Sequence, residues 1–160
     1  MDGLKILRVI FLAMAGSHLV LLTVLPSVLP EGEEPVSPLF LWLVLFSGLY
    51  SVGGAVWAKS RRLDTTSPES LAGSYRADFF LGIAMAQSAG LIGYALSFVV
   101  EASWPYLVGL VFTLIGLILT APTRGSLNRR QQQITAQGSA LSLVESLRGA
   151  PPTTWRRGGR

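Results

Sequence analysis

Apolar residues in this chain do not alternate as in a half-buried strand. They gather into four runs, over 9–29, 38–58, 79–100 and 105–122, and none of the four contains a charged residue. A bilayer core of roughly 30 Å takes about 20 helical residues at 1.5 Å each, so each run is long enough to cross one. Pro30, Pro35, Pro38, Pro105 and Pro122 stand at or beside the ends of the runs, where a missing backbone donor costs little. Pro26 lies inside the first run and predicts a kink or an end there. The pattern predicts an all-α protein: a four-helix transmembrane bundle over 1–122, followed by a tail over 123–160. Within the tail, Leu141, Val144 and Leu147 recur at helical spacing, and Ser142 and Glu145 have the spacing of a capping box, which predicts a short amphipathic helix. The Pro, Gly and Arg content from about 151 onward predicts a disordered basic end.

The first run follows Lys5 and Arg8, as the apolar part of a signal peptide would. It is longer than such a segment, and no small-x-small cleavage site follows it, so it is expected to remain as a helix.

Charge adds an orientation to the four spans. Lys5 and Arg8 precede the first; Lys59, Arg61, Arg62 and Arg76 lie between the second and third; all other positive residues, from Arg124 to Arg160, follow the fourth. The two remaining connections carry only acid, Glu31, Glu33 and Glu34 in one and Glu101 in the other. By the positive-inside rule both termini and the middle loop are cytoplasmic, in the inner (plasma) membrane of a bacterial cell. Trp42, Trp57, Trp104, Tyr75 and Tyr106 are expected at the interfaces with water. A net charge of +4 and a pI near 10 would also suit a nucleic-acid binder. With 50% apolar residues, 14% charged residues and a mean hydropathy of +0.49, a basic balance belongs instead to cytoplasmic loops of a membrane protein, and nucleic acid is not expected as a partner.

The chain has no cysteine and one histidine, which excludes disulfides, thiolate chemistry and multi-histidine metal sites. No phosphate-binding loop, HExxH, GxSxG or paired-carboxylate pattern is present, so no catalytic residue, metal or cofactor is expected. Polar residues inside a bilayer are costly unless paired, and two stand out: His18 near the middle of the first run, beside Ser17, and Gln87 in the middle of the third. Asp78 is expected to cap the cytoplasmic start of the third helix, and Glu101 to be solvated at its outer end. In the third run Gly82, Ala86, Gly90 and Gly93 recur at intervals of four, four and three, a smooth face on which another backbone can approach. Gly48, Gly53 and Gly54 make a shorter patch in the second run, and Gly109 and Gly116 lie one heptad apart in the fourth.

Pro68-Glu69, then Arg76, then the glycine- and alanine-rich helix ending at Phe98 resemble the proteolipid (c-ring) subunit of rotary ATP synthases over residues 68–98. The resemblance implies a helical hairpin with a Pro-Glu in its cytoplasmic loop, and a ring-forming partner surface. The family's ion-carrying carboxylate falls on Gln87, which cannot titrate, and two further spans flank the hairpin. The resemblance therefore implies the packing of that family without its proton-carrying chemistry.

These features point to a small non-enzymatic integral membrane protein, an accessory or assembly subunit that self-associates or joins a larger membrane complex. The alternative is a small transporter or channel component using His18 and Gln87. Reporter fusions after Arg62 and at the C-terminus are expected to read cytoplasmic, and fusions at 32–34 or at Ser103 external. A C-terminus on the outer side would overturn the four-span topology.

Overall fold

The computed structural model describes residues 3–28 and 37–149. Among these, 86% are helical and no strand occurs. Six helices follow in order: α1 (Gly3–Val28), α2 (Pro38–Ser60), α3 (Pro68–Val100), α4 (Trp104–Thr120), α5 (Arg124–Ala136) and α6 (Leu143–Gly149). Three of them, α1, α2 and α3, are long and apolar enough to cross a membrane, or up to four spans exist if α4 and the helix after it are counted as one. Alone, the 17 residues of α4 reach about 25 Å, at the short limit for a span. The chain divides into two compact units, one formed by 11–61 and 78–121 and the other by 1–10, 62–77 and 122–160.

In the first of these units α3 is the helix the others pack upon. Its apolar window is 39% buried, against 22% for α2 and 11% for α1. The small residues of α3 are the reason. A Cβ placed on Gly93 would lie 2.5 Å from the Pro105 carbonyl oxygen, and one on Gly109 of α4 would lie 2.4 Å from that of Ala89. Farther along, Gly116 faces Ala86 and Gly82 faces Thr120, so α3 and α4 run antiparallel with backbones in close approach. Gly54 of α2 meets Met85, and Gly48 of α2 seats the Phe112 ring of α4. Of the small residues singled out in the sequence, Gly53 alone has open space around it. The outer faces are apolar: Leu39, Trp42, Phe46 and Leu49 on α2 and Leu12 and Leu19 on α1 are each more than 60% exposed, as suits side chains whose solvent is lipid.

Helix ends in this unit borrow groups from neighbouring helices. Lys59 of α2 donates to the Leu119 carbonyl in the last turn of α4, which has no intrahelical partner. Ser97 of α3 accepts the Tyr106 N–H at 3.1 Å in the first turn of α4 while donating to Gly93 O. The α3–α4 connection is three residues long, and Glu101 in it adopts φ 53°, with the Ala102 N–H returning to Ser97 O at 3.1 Å. This is the left-handed helix stop that glycine usually occupies, so Glu101 carries strain there as well as being exposed.

The start of α3 differs from the expected one. The helix begins at Pro68, eleven residues before the apolar run, so Pro68-Glu69 forms its first turn and is not in a loop. The start signals are local: Ser67 Oγ accepts the Ser70 N–H at 3.1 Å, Pro68 follows, and Glu69 meets the positive end of the helix dipole. Asp78 is consequently not a cap. It lies within the helix, buried, with Arg61 Nη1 at 3.7 Å. The Arg61 guanidinium also lies 5.4 Å from the centre of the Trp57 ring.

The other unit holds the charged connections. Asp64 Oδ1 accepts from the Thr66 N–H and hydroxyl at 3.0 and 2.7 Å, which holds this exposed carboxyl below its ordinary pKa of 3.8. That small contribution is present above the ordinary value and is lost as the pH falls through the depressed one. α5 forms where the sequence shows only a polar, glutamine-rich stretch. Its buried Leu127, Arg130 and Ile134 lie on one side at intervals of three and four. α6 begins after Leu141 and buries Leu143, Ser146 and Leu147; Ser142 Oγ accepts the Glu145 N–H at 3.4 Å. The expected disordered end, from about 151, and the acidic connection with Pro30 and Pro35 lie outside the described residues.

Between α5 and α6, Gln131 acts as a clamp, its amide N–H donating to Leu141 O at 2.9 Å and its oxygen accepting the Leu143 N–H at 2.8 Å. Gln131→Leu removes both bonds, each contributing about 1 kcal/mol. Amide hydrogen exchange at Leu143 is expected to accelerate roughly tenfold or more, with the α3 amides unchanged. Unchanged exchange at Leu143 would show that the clamp does not hold α6.

Candidate functional site

The two intramembrane polar residues singled out in the sequence meet each other. His18 of α1 is 3% exposed and Gln87 of α3 is 8% exposed, and the ring Nε2 hydrogen-bonds the Gln87 side-chain oxygen. Gly90, one turn along α3, leaves the space for the ring: a Cβ there would lie 2.7 Å from His18 Cε1 and 2.8 Å from Thr113 Oγ1. Gln87 and Gly90 therefore act together, one as partner to the imidazole and the other as its seat.

The directions of these bonds follow from a main-chain group. Gln87 Nε2 donates to the Met14 carbonyl at 3.0 Å. A carbonyl accepts only, so the amide must present its NH2 to Met14 and its oxygen to His18. The oxygen in turn requires a proton on Nε2, and the neutral ring is therefore the Nε2–H tautomer with a lone pair on Nδ1. Met14 thus determines the tautomer of a side chain it does not touch.

Nδ1 faces Tyr106 of α4, whose hydroxyl oxygen is 3.2 Å away. The same hydroxyl lies 3.0 Å from the His18 carbonyl oxygen. Tyr106 is fully buried, stacked near the imidazole at 6.2 Å between ring centroids and edge-on to Tyr94 at 5.8 Å. Tyr106 was expected at an interface with water; it lies instead buried beside His18. The reason is the adjacent close approach at Gly93, which draws the first turn of α4 onto α3.

Other hydroxyls complete the polar interior. Thr113 Oγ1 accepts the Gly90 N–H at 2.8 Å, and Ser51 Oγ of α2 donates to Met85 O at 2.7 Å. Thr113 was not singled out in the sequence; its signal was a hydroxyl in the middle of an apolar run, and it faces Gly90 of α3. Trp104 Nε1 is buried with no hydrogen-bond partner among the described residues. In the other unit, a cavity of about 290 Å³ is lined by residues that include Glu69, Ser142, Glu145 and Ser146. No group of three or more His, Asp or Glu that could hold a metal occurs among the described residues.

These observations define an all-helical membrane protein whose interior polar groups are joined across helices within one chain. No protein family, curated protein or solved structure matches it.

The glycine seats predict opposite outcomes for one substitution. Gly90→Ala pushes a methyl group into the His18 ring and Thr113, and is expected to lower stability by about 1–3 kcal/mol. Gly53→Ala meets open space and is expected to be neutral or stabilising by up to about 1 kcal/mol. Thermal unfolding in mild detergent checks both, and equal effects would show that the close approach is not the constraint.

Proposed function

We propose that this protein is a small non-enzymatic multi-pass membrane protein of the bacterial inner membrane, acting as an accessory or assembly component of a membrane complex. Four spans, with both termini and the α2–α3 connection cytoplasmic, agree with the segregation of positive charge. The observation that carries the functional reading is the pairing of the interior. His18, Gln87 and Tyr106 bond to one another and to main-chain carbonyls, and Gly82, Gly90 and Gly93 are filled by in-chain neighbours. Such an interior supports a rigid packing unit. The small-residue face of α3 is met by in-chain neighbours, and so are Gly48 and Gly54 of α2. Contacts with a second copy or a larger complex then fall to the exposed apolar faces of α1 and α2.

A proteolipid-like origin remains part of this reading, as a packing relationship alone. In its favour are the small-residue face of α3 and the central position of Gln87. The Pro-Glu at the first turn of α3, where the family has it in a loop, weighs against it.

The experiment compares the wild type with Gln87→Leu, each purified gently for its assembly state and reconstituted in vesicles for ion and solute flux. Gln87→Leu removes two interhelical bonds of about 0.6 kcal/mol each, so folding and assembly are expected to survive, with no flux in either protein. Wild-type flux that disappears in a Gln87 variant of normal assembly would overturn the proposal in favour of a transporter.

A further inference from the structure

One side of α2, centred on the buried Ser47, Ser51 and Ala58, packs within the chain, and the opposite side is open. On the open side Leu39, Leu43, Phe46, Tyr50, Gly53 and Trp57 recur at intervals of four, three, four, three and four. The five side chains are 46–73% exposed, and a Cβ on Gly53 would have no atom within 4 Å. Alternation of four and three is the 3.5-residue repeat of a seam between two helices, and here it runs the length of α2. Tyr50 is the polar member of that seam. It is the thirteenth of 23 residues, so about 15 Å of helix or more lies on either side of it. A tyrosine side chain is shorter than that distance, and its hydroxyl ends in hydrocarbon. The hydroxyl has no hydrogen-bond partner among the described residues, which is costly where no water can replace one.

We propose that the open side of α2 is the contact between two copies of this chain, with Tyr50 of one copy bonded to Tyr50 of the other. Copies inserted with the same topology hold their α2 helices parallel, and a two-fold axis along the membrane normal brings each seam residue to its own equivalent. A hydroxyl both donates and accepts, so at the Tyr50 layer one hydroxyl donates to the other and both leave the lipid. A different partner would have to supply a polar group at this same depth, whereas a second copy always does. Gly53, in the next layer, leaves room for the two backbones to approach. The area is sufficient. At 150–250 Å² for a whole aromatic side chain, Trp42, Phe46, Tyr50 and Trp57 expose about 500 Å² together. The leucines beside them bring the face toward the roughly 800 Å² that each partner gives to a stable interface. Hydrocarbon area alone does not select a second copy, because lipid covers it equally well; the hydroxyl pair and the close fit do. The contact rests on the reading of α2 as a membrane span and gives the assembly reading a first partner.

The chain has no cysteine, so single introduced ones report contacts without background. Full-length Leu43→Cys and Phe46→Cys, each in native membranes under a mild oxidant, are expected to cross-link to twice the 17.2 kDa of one chain. Leu19→Cys of α1 and Ile118→Cys of α4, at positions 67% and 74% exposed, are expected to remain single chains. Energy transfer between C-terminally labelled copies diluted in lipid vesicles gives the dissociation constant. Tyr50→Phe should raise it about threefold, the loss of one average interhelical bond, and Gly53→Leu roughly tenfold or more by holding the backbones apart. Both positions face away from the chain's own interior, so helical circular dichroism should not change. Cross-linking at Leu19 and Ile118 equal to that on α2, a product of another mass, or a Tyr50→Phe variant that associates as the wild type does would each overturn the proposal. Flux tests the assembly reading separately, so a monomer without flux removes this contact and leaves that reading standing.

Discussion

The close approach of α3 and α4 is the constraint on which the membrane unit depends. Lipid tails are as apolar as leucine, so helices in a bilayer gain little by hiding hydrocarbon from it. They hold together through dense contact and hydrogen bonds. Glycines at 82, 93, 109 and 116 bring one backbone onto side chains or carbonyls of the other at distances a Cβ would not permit. Once the backbones are this near, short side chains can bridge them. Ser97 reaches the first turn of α4, Thr113 reaches the Gly90 N–H, and Tyr106 is carried inward to α1.

Polar order in the interior follows from that packing. The Met14 carbonyl orients the Gln87 amide, the amide selects the histidine tautomer, and the tautomer determines what the Tyr106 hydroxyl can do. Each step uses a group with only one permitted role, a carbonyl that must accept or a ring nitrogen that must donate, so the chain of consequences has one direction. At the other end of the same unit the charged groups are arranged similarly: Lys59 serves a helix terminus, and Arg61 lies between Trp57 and Asp78. The unit therefore has an apolar exterior and an interior whose polar groups answer to one another, the inverse of a soluble domain's distribution of polarity.

Much of the architecture was legible along the chain because its cause is local or additive. Length without charge determined which segments form long apolar helices, since every backbone group in hydrocarbon must be satisfied within its own helix. The boundaries at Pro38 and Val100 agree with that reading, and Ser67-Pro68-Glu69 was a readable helix start, overlooked because the apolar run begins later. α5 escaped notice because its buried stripe is three residues in a polar sequence. His18 and Gln87 were conspicuous as polar residues in apolar runs, and the glycine spacing of α3 marked a face for close packing. By itself, then, the sequence determined the helical class, the helices able to enter a membrane, and which polar residues such a membrane would penalise. Only the tertiary structure decided that His18 and Gln87 are partners, that Tyr106 lies beside them and not at an interface, that Asp78 faces Arg61, and that the glycine face of α3 is filled from within the chain. Those outcomes depend on the rotation and depth of one helix against another, which no single helix's sequence contains and which contacts between residues up to 88 positions apart impose.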